Sequence, residues 1–336
     1  MADPRCSRVL VTGGAGFIGR RVVRALLEIG AEVTVADKQP FPDGAVRGEF
    51  RTVLGDLRDP GVAARALDPG TDAVVHLAAV TSVLRSVADP AGTYDVNVAL
   101  TENLLELARK HETRTFLFAS TNAVVGDVGR NVITEQTPMR PMTPYGATKA
   151  AAEMLLSCYT ACYGVNACAL RFSNVYGPGM AAKDSFVPRL MRAARCGGGV
   201  DVYGDGHQLR DLVHIDDVVG GVLAAWRADW TGPLIVAAGR SDSVNDLVAA
   251  ARRVTGAPIP ARHVPAKQGE MPAVLVDIAT ARALGYQPAY DLGSGLATVW
   301  PEFADGTVAD GTAASVADGA AAGHGSAAPV GAEAAK

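Results

Sequence analysis

No stretch of about 18 uninterrupted apolar residues occurs in the chain, so nothing in it reads as a membrane-spanning helix. The start, Met1-Ala2-Asp3-Pro4-Arg5-Cys6, passes straight into a strand pattern, with neither the charged region nor the apolar run of a secretion signal. A soluble, cytoplasmic protein with no membrane partner is expected. Long Lys/Arg clusters are also missing, and a formal charge of −4 with a pI near 5.9 provides no basic field for a phosphate backbone. Nucleic acid is not an expected partner. Cysteines are few: Cys6, Cys158, Cys162, Cys168 and Cys196 make five, an odd number without a CxxC pair, which disfavours a disulfide framework and a zinc site. They read as buried thiols. What remains is a chain of 336 residues, 49% hydrophobic, long enough for one large α/β unit or two modest domains.

Arg8-Val9-Leu10-Val11-Thr12 reads as a short buried strand, and Gly13-Gly14-Ala15-Gly16-Phe17-Ile18-Gly19 follows before a helical run through Val22, Val23, Leu26 and Leu27. In this GxxGxxG spacing Gly13 permits the tight turn and Gly16 lets a diphosphate approach the backbone. Gly19 lets helix pack closely on strand, with the phosphates at the positive helix end. A second strand, Glu32 to Ala36, ends in Asp37, where a carboxylate accepts the ribose hydroxyls of a dinucleotide and repels a 2′-phosphate. That points to NAD over NADP, with the adjacent Lys38 leaving the choice open. A third strand (51–54) ends in Gly55-Asp56-Leu57, where Asp56 either accepts the adenine amine or is a plain turn residue. A fourth (73–79) is apolar throughout, as a parallel strand covered on both faces should be, and its closing Leu77-Ala78-Ala79 leaves room for diphosphate and ribose. His76 reads there as a satisfied core histidine. After Thr81-Ser82-Val83 comes a loop and then a long amphipathic helix, Tyr94 to about Lys110, on which Asn97 serves either the loops above the sheet or the cofactor.

The fifth strand, 115–120, delivers Thr121 and Asn122 to the carboxyl edge of the sheet, where open α/β sheets place their ligands. A proline-rich loop leads to Tyr145-Gly146-Ala147-Thr148-Lys149, which opens another helix, and a sixth strand runs from Val165 to Phe172. Tyrosine and lysine four apart share one helical face, so an ammonium sits beside a phenol. Moving a tyrosine from about 10 to about 7 takes roughly 4 kcal/mol of preference for phenolate. A fixed cation in a sheltered site supplies that much. Strands alternating with helices over about 170 residues make a doubly wound parallel sheet.

The glycine loop, Asp37, Asp56-Leu57, His76-Leu77-Ala78-Ala79, Asn97, Ser120-Thr121, the YxxxK pattern and Arg171-Phe172-Ser173-Asn174-Val175-Tyr176-Gly177-Pro178 together resemble the extended short-chain dehydrogenase/reductases. Within that group the chain resembles the nucleotide-sugar epimerase/dehydratase branch, typified by UDP-galactose 4-epimerase, over roughly residues 7 to 300. The resemblance implies an NAD-binding Rossmann domain over 1–172, to which later segments return, and a smaller α/β domain for a nucleotide diphosphate sugar over 173–303. Implied NAD contacts are Gly13, Gly16, Phe17, Ile18, Gly19, Asp37, Lys38, Asp56, Leu57, Leu77, Ala78, Ala79, Thr81, Asn97, Tyr145, Lys149 and Ser173. Implied sugar-nucleotide contacts are Ser82, Val83, Thr121, Asn122, Asn174, Val187 in the helix bordering the base, and Arg210 gripping the diphosphate. Relatives pair the helices around 94–110 and 145–163 into a homodimer. The implied chemistry is removal of the C4 hydroxyl proton by Tyr145, with Thr121 orienting that oxygen, Lys149 holding the phenolate and the nicotinamide ribose, and NAD accepting the C4 hydride.

Departures narrow the reaction. The 4,6-dehydratases carry an Asp-Glu pair after the threonine, and this chain has Asn122-Ala123, so water elimination is disfavoured and 4-epimerisation of a UDP- or dTDP-hexose is expected. The arginine with which uronate enzymes hold the sugar carboxylate is replaced by Gly179-Met180-Ala181-Ala182, although Lys183 or Arg189 lies nearby. Val125 stands where the family usually has tyrosine, and Ser173 replaces a commoner Phe or Thr. Over 304–336 the composition turns to Ala, Gly, Asp, Ser and Thr, too poor in large apolar residues to bury a core, and a disordered tail is expected.

Overall fold

The structure is a computed structural model that describes residues 7–266 and 271–304. Seven strands form its main sheet: β1 (Arg8–Thr12), β2 (Glu32–Asp37), β3 (Arg51–Leu54), β4 (Ala73–His76), β5 (Thr115–Thr121), β6 (Asn166–Phe172) and β7 (Gly232–Val236). All pair in parallel, in the order β3-β2-β1-β4-β5-β6-β7. The period-2 alternation of β1, β2, β4, β5 and β6 serves two cores. On one face Val9, Val11, Val33 and Val75 pack with Val22, Val23 and Leu26 of the first helix. On the other, Leu10, Val74, Phe116 and Phe118 pack with Leu104 and Leu105. Covering both faces is what a parallel sheet requires, and it explains why the strands read as continuous apolar runs.

The order reverses between β1 and β4, so their carboxyl ends open a crevice at which the loops following Thr12 and His76 meet. β4 stops at His76, earlier than the apolar run suggests, which frees Leu77 to Ala79 as loop backbone at the crevice. The predicted 94–110 helix is interrupted: Pro90–Tyr94 and Leu100–Lys110 are α-helical, and Asp95–Ala99 between them is a π-turn. Such a widened turn re-aims a side chain, and here Asn97 meets both backbone groups of Val80, accepting from its N–H at 2.8 Å and donating to its C=O at 3.0 Å.

Helix Pro144–Tyr163 begins at Thr143, whose hydroxyl accepts from Gly146 N–H at 3.2 Å, has Pro144 in its first turn, and ends on left-handed Gly164. Its buried face includes Gly146, Lys149, Ala150, Glu153 and Leu156. Met154, Cys158 and Cys162, spaced by four, form the opposite stripe, which corrects the expectation of buried thiols: Cys158, Cys162 and Cys196 are exposed and only Cys168 among the described cysteines is buried. Cys6 lies outside the described residues.

Beyond Phe172 a smaller lobe forms around a three-stranded sheet of Asn174–Tyr176, Leu209–His214 and Ser241–Ser243. Tyr176, Met180, Val187, Leu190, Leu247, Leu296 and Phe303 make its core. The chain does not stay there: β7 joins the main sheet, and Val218, Val222 and Trp226 of helix Ile215–Arg227 join the first core. Of the expected tail only Ala304 is described, as the last residue of helix Leu292–Ala304; the rest lies outside the described residues.

Candidate active site

The glycine loop is a backbone cradle that side chains would fill. A Cβ on Gly13, whose φ is +68, would stand 2.7 Å from Ala78 N, and one on Gly19 would overlap Gly13 O and stand 2.6 Å from Gly14 Cα. Gly19 therefore lets the first helix turn seat on the loop itself. Asp37 ends β2 half-buried, one oxygen accepting from Ala15 N–H at 3.1 Å and the other from Gln39 N–H at 3.0 Å, with Lys38 exposed beside it. His76 bridges Thr12 Oγ1 at 2.6 Å and Thr101 Oγ1 at 3.0 Å, and burial drops its pKa to about 3, so it is neutral near pH 7. It is the core histidine the sequence suggests. Thr12 Oγ1 in turn accepts from Ala78 N–H at 3.2 Å, which fixes the crevice wall. Asp56 is held otherwise: Arg58 grips it two-handedly, at distances down to 2.6 Å, and its carboxyl falls to about 2. Leu57 is buried in the second core.

Gly19→Ala tests the cradle, since the added methyl meets backbone that cannot step aside. A dinucleotide affinity lower by tenfold or more, about 1.4 kcal/mol, is expected in a titration of the folded variant.

Thr121 ends β5 with its hydroxyl accepting from Ala123 N–H at 3.2 Å, and the same hydroxyl meets the Tyr145 phenol at the start of the next long helix. Tyr145 is held in place from behind, its N–H donating to Ser86 Oγ at 3.1 Å. Asn97 braces the same helix, donating to Thr148 Oγ1 at 3.1 Å. Lys149 is 2% exposed, donates from Nζ to Ala119 O at 2.7 Å and sits 4.4 Å from the Phe118 ring centroid. Burial pulls its pKa down to about 7, with Glu153 pulling the other way. Burial raises Tyr145 above its ordinary value, with the Thr121 hydroxyl opposing. The expectation that the ammonium alone lowers the phenol is therefore corrected for this state: one turn further along, Lys149 is drawn to the strand carbonyl, and desolvation dominates the tyrosine.

Beneath the pair lies a network the sequence reading missed. Arg171, 1% exposed, donates from Nε and Nη2 to the Glu153 carboxylate at 2.8 to 3.1 Å, and Ser120 Oγ donates to it at 2.5 Å. The available signal was a glutamate one turn after Lys149 on the buried face. Ser82 caps the helix Val83–Ala88, accepting from Arg85 N–H at 3.2 Å; Thr81, Ser82 and Val83 are exposed at the crevice rim. Asn122 is buried, and both atoms of its amide lack a partner among the described residues.

On the second lobe the expected contacts are engaged in structure. Ser173 donates to Asp211 at 2.6 Å, and Asp211 also accepts from Ala238 and Gly239 N–H at 2.9 and 2.8 Å. Asn174, exposed, donates to Asp211 O at 3.1 Å. Val187 is buried in the lobe core, and Arg210 Nη1 donates to the carbonyls of Leu209 and Met271 at 2.8 and 2.9 Å. Val125 is buried in the main core, 1% exposed.

This layout, a glycine cradle and a Thr/Tyr/Lys set on one sheet edge, agrees with a family profile: that of the NAD dependent epimerase/dehydratase family matches residues 9–238. The chain belongs to this family. A putative UDP-glucose 4-epimerase of Methanocaldococcus jannaschii is 31% identical over 87% of this chain and 96% of its own length. A dTDP-glucose 4,6-dehydratase of Streptomyces griseus is 35% identical over 87% and 92%. The UDP-glucose 4-epimerase of Thermus thermophilus, solved with NAD, superposes with a TM-score of 0.81 at 32% identity, covering 88% of this chain and 98% of that one. As a member of the epimerase/dehydratase family the protein is an NAD-dependent enzyme of nucleotide-sugar chemistry. The residues fit that cofactor: glycines at 13 and 19 let the loop, the start of the first helix and the Leu77-Ala78 backbone pack together at the sheet edge, and a partly buried carboxylate stands at the tip of β2. Among the described residues no group of His, Cys, Asp and Glu could hold a metal ion, and no helix is long and apolar enough to cross a membrane.

Proposed function

We propose that the protein is an NAD-dependent 4-epimerase of a UDP- or dTDP-hexose. The observation that carries this reading is Thr121 meeting Tyr145 at the end of β5 while the next two positions, Asn122 and Ala123, bring no proton-transferring group. Tyr145 takes the proton of the sugar's C4 hydroxyl, and Thr121 holds that oxygen. In this reading Lys149, whose ammonium donates to Ala119 O and whose pKa burial lowers to about 7, serves the phenol one helical turn before it. NAD, when bound, supplies a reversible hydride acceptor for C4. After the 4-keto sugar turns in the site, the hydride comes back to the opposite face of C4 while Tyr145 returns the proton to the carbonyl oxygen. Elimination of water across C5 and C6 needs an acid and a base there. An amide and a methyl supply neither.

In the same reading, Gly13, Gly16, Phe17, Ile18, Gly19, Asp37 and Ala78 contact NAD, and Ser82, Asn122, Asn174 and Arg210 contact the sugar nucleotide. Incubation with UDP-glucose, UDP-galactose and dTDP-hexoses, followed by proton NMR, is expected to show exchange at C4 without net NADH. Accumulation of a 4-keto-6-deoxy sugar would transfer the protein to the dehydratases, and stoichiometric NADH with a released keto sugar to the dehydrogenases. Helix Pro144–Tyr163 also exposes Met154 (62%) and Tyr163 (54%), which supports a homodimer through it. A monomer by light scattering contradicts the dimer and leaves the chemistry untouched.

A further inference from the structure

The second lobe reaches back over the cofactor cradle through the segment 177–183. Gly179, at φ +94, accepts from Arg20 Nη2 through its C=O at 3.3 Å and donates its N–H to Glu302 at 2.8 Å. Arg192 anchors the far end, donating to the carbonyls of Ala181 and Lys183 at 2.9 and 3.2 to 3.3 Å. Between these ties Lys183 lays its ammonium 4.3 Å from the centroid of the Phe17 ring. Phe17 is the first residue of helix Phe17–Glu28 and follows the cradle glycine Gly16. The ring itself packs against the core of the second lobe.

Lys183 remains exposed as a residue, yet the protein around its ammonium lowers its pKa by desolvation. The acid next to it in sequence is turned away: Asp184 is bound by Arg189 at 2.7 Å on both oxygens. A partly desolvated cation that rests on an aromatic face keeps its three donors for a ligand. The ring holds that ammonium beside the first residue of the helix that the cradle opens.

We infer that Lys183 is a diphosphate-binding residue, contributed by the second lobe to the glycine cradle of the first. The diphosphate is that of the dinucleotide or that of the sugar nucleotide, the latter source resting on the proposed function. Phosphate oxygens fit the site because the ammonium is a compact point charge facing the side on which the helix start is positive.

Protein freed of nucleotide is titrated calorimetrically with NAD, UDP, dTDP, UDP-glucose, UDP-glucuronate and adenosine, as wild type, Lys183→Met and Lys183→Arg. For Lys183→Met, NAD or UDP affinity is expected to fall about tenfold or more, with adenosine binding unchanged. Lys183→Arg should recover most of the loss. The methionine effect should shrink at high salt. A fall for NAD alone assigns the cofactor diphosphate, and a fall for UDP alone assigns the substrate diphosphate. Two results overturn the assignment: unchanged affinities for both ligands in a variant that melts like wild type, or a loss confined to UDP-glucuronate relative to UDP-glucose, which would make Lys183 a carboxylate contact. Wild type that binds NAD but neither UDP nor dTDP sinks the sugar-nucleotide reading while leaving the NAD arm standing.

Discussion

Tyr145→Phe is expected to lower kcat by about a thousandfold, in the middle of the range for loss of a positioned proton-transfer group, with NAD affinity nearly unchanged. The variant removes one oxygen and leaves the packing. Helix Pro144–Tyr163 remains capped by Thr143, and the Tyr145 N–H bond to Ser86 Oγ does not involve the phenol. Loss of rate with retained fold and cofactor therefore isolates the proton transfer. The phenol is raised by burial, so the wild-type enzyme needs help to ionise it, and Thr121, opposing that rise, is one source. Thr121→Val should then slow turnover too and move the pH at which activity appears upward, because the tyrosine loses the hydroxyl that lowers its pKa. A Tyr145→Phe protein with wild-type epimerisation would end the mechanism proposed above.

Removing the guanidinium of Arg171 is expected to be the most damaging single change to the fold. Arg171→Met leaves the Glu153 carboxylate, at 3% side-chain exposure, with the Ser120 hydroxyl in place of a guanidinium fork. Breaking one side of such a buried pair costs about 3–5 kcal/mol, because the remaining charge is desolvated without compensation. The loss should appear as a lower midpoint in urea unfolding. It should also reach the active site, since Glu153 is the group that supports the charge of Lys149. Replacing both residues, Arg171→Met with Glu153→Leu, should recover much of the stability while leaving turnover impaired. Equal stability of wild type and Arg171→Met would mean the pair is not holding β5, β6 and the catalytic helix together.

Much of this is legible in the chain. Short-range rules suffice for the glycine loop: the tight φ at Gly13 and the close approach at Gly19 are local demands that glycine alone meets, so the spacing announces the cradle. The six strands read from apolar runs are present because a parallel sheet buries both faces. The partners of polar side chains are less legible. Asp56 in sequence is a ligand group or a turn residue, and the structure adds a local ion pair with Arg58 two positions on. Ser173 and Arg210 are similarly committed, to Asp211 and to two carbonyls, by strands that meet across the second lobe. The exposed thiols escape a reading by composition because composition says nothing about which stripe of a helix faces out.

The order of apolar runs, glycines and the Tyr-x-x-x-Lys spacing determined by themselves the doubly wound architecture and the dinucleotide cradle, and pointed to the Tyr145 and Lys149 pair on which the proposed chemistry rests, since each pattern repeats over residues within a few turns of one another. Tertiary structure alone decided which charges are spent on the scaffold and which stay available. Arg171 ends against Glu153 and Lys183 over Phe17 because long-range packing sets their neighbours and their desolvation, and these govern ionisation more strongly than proximity along the chain.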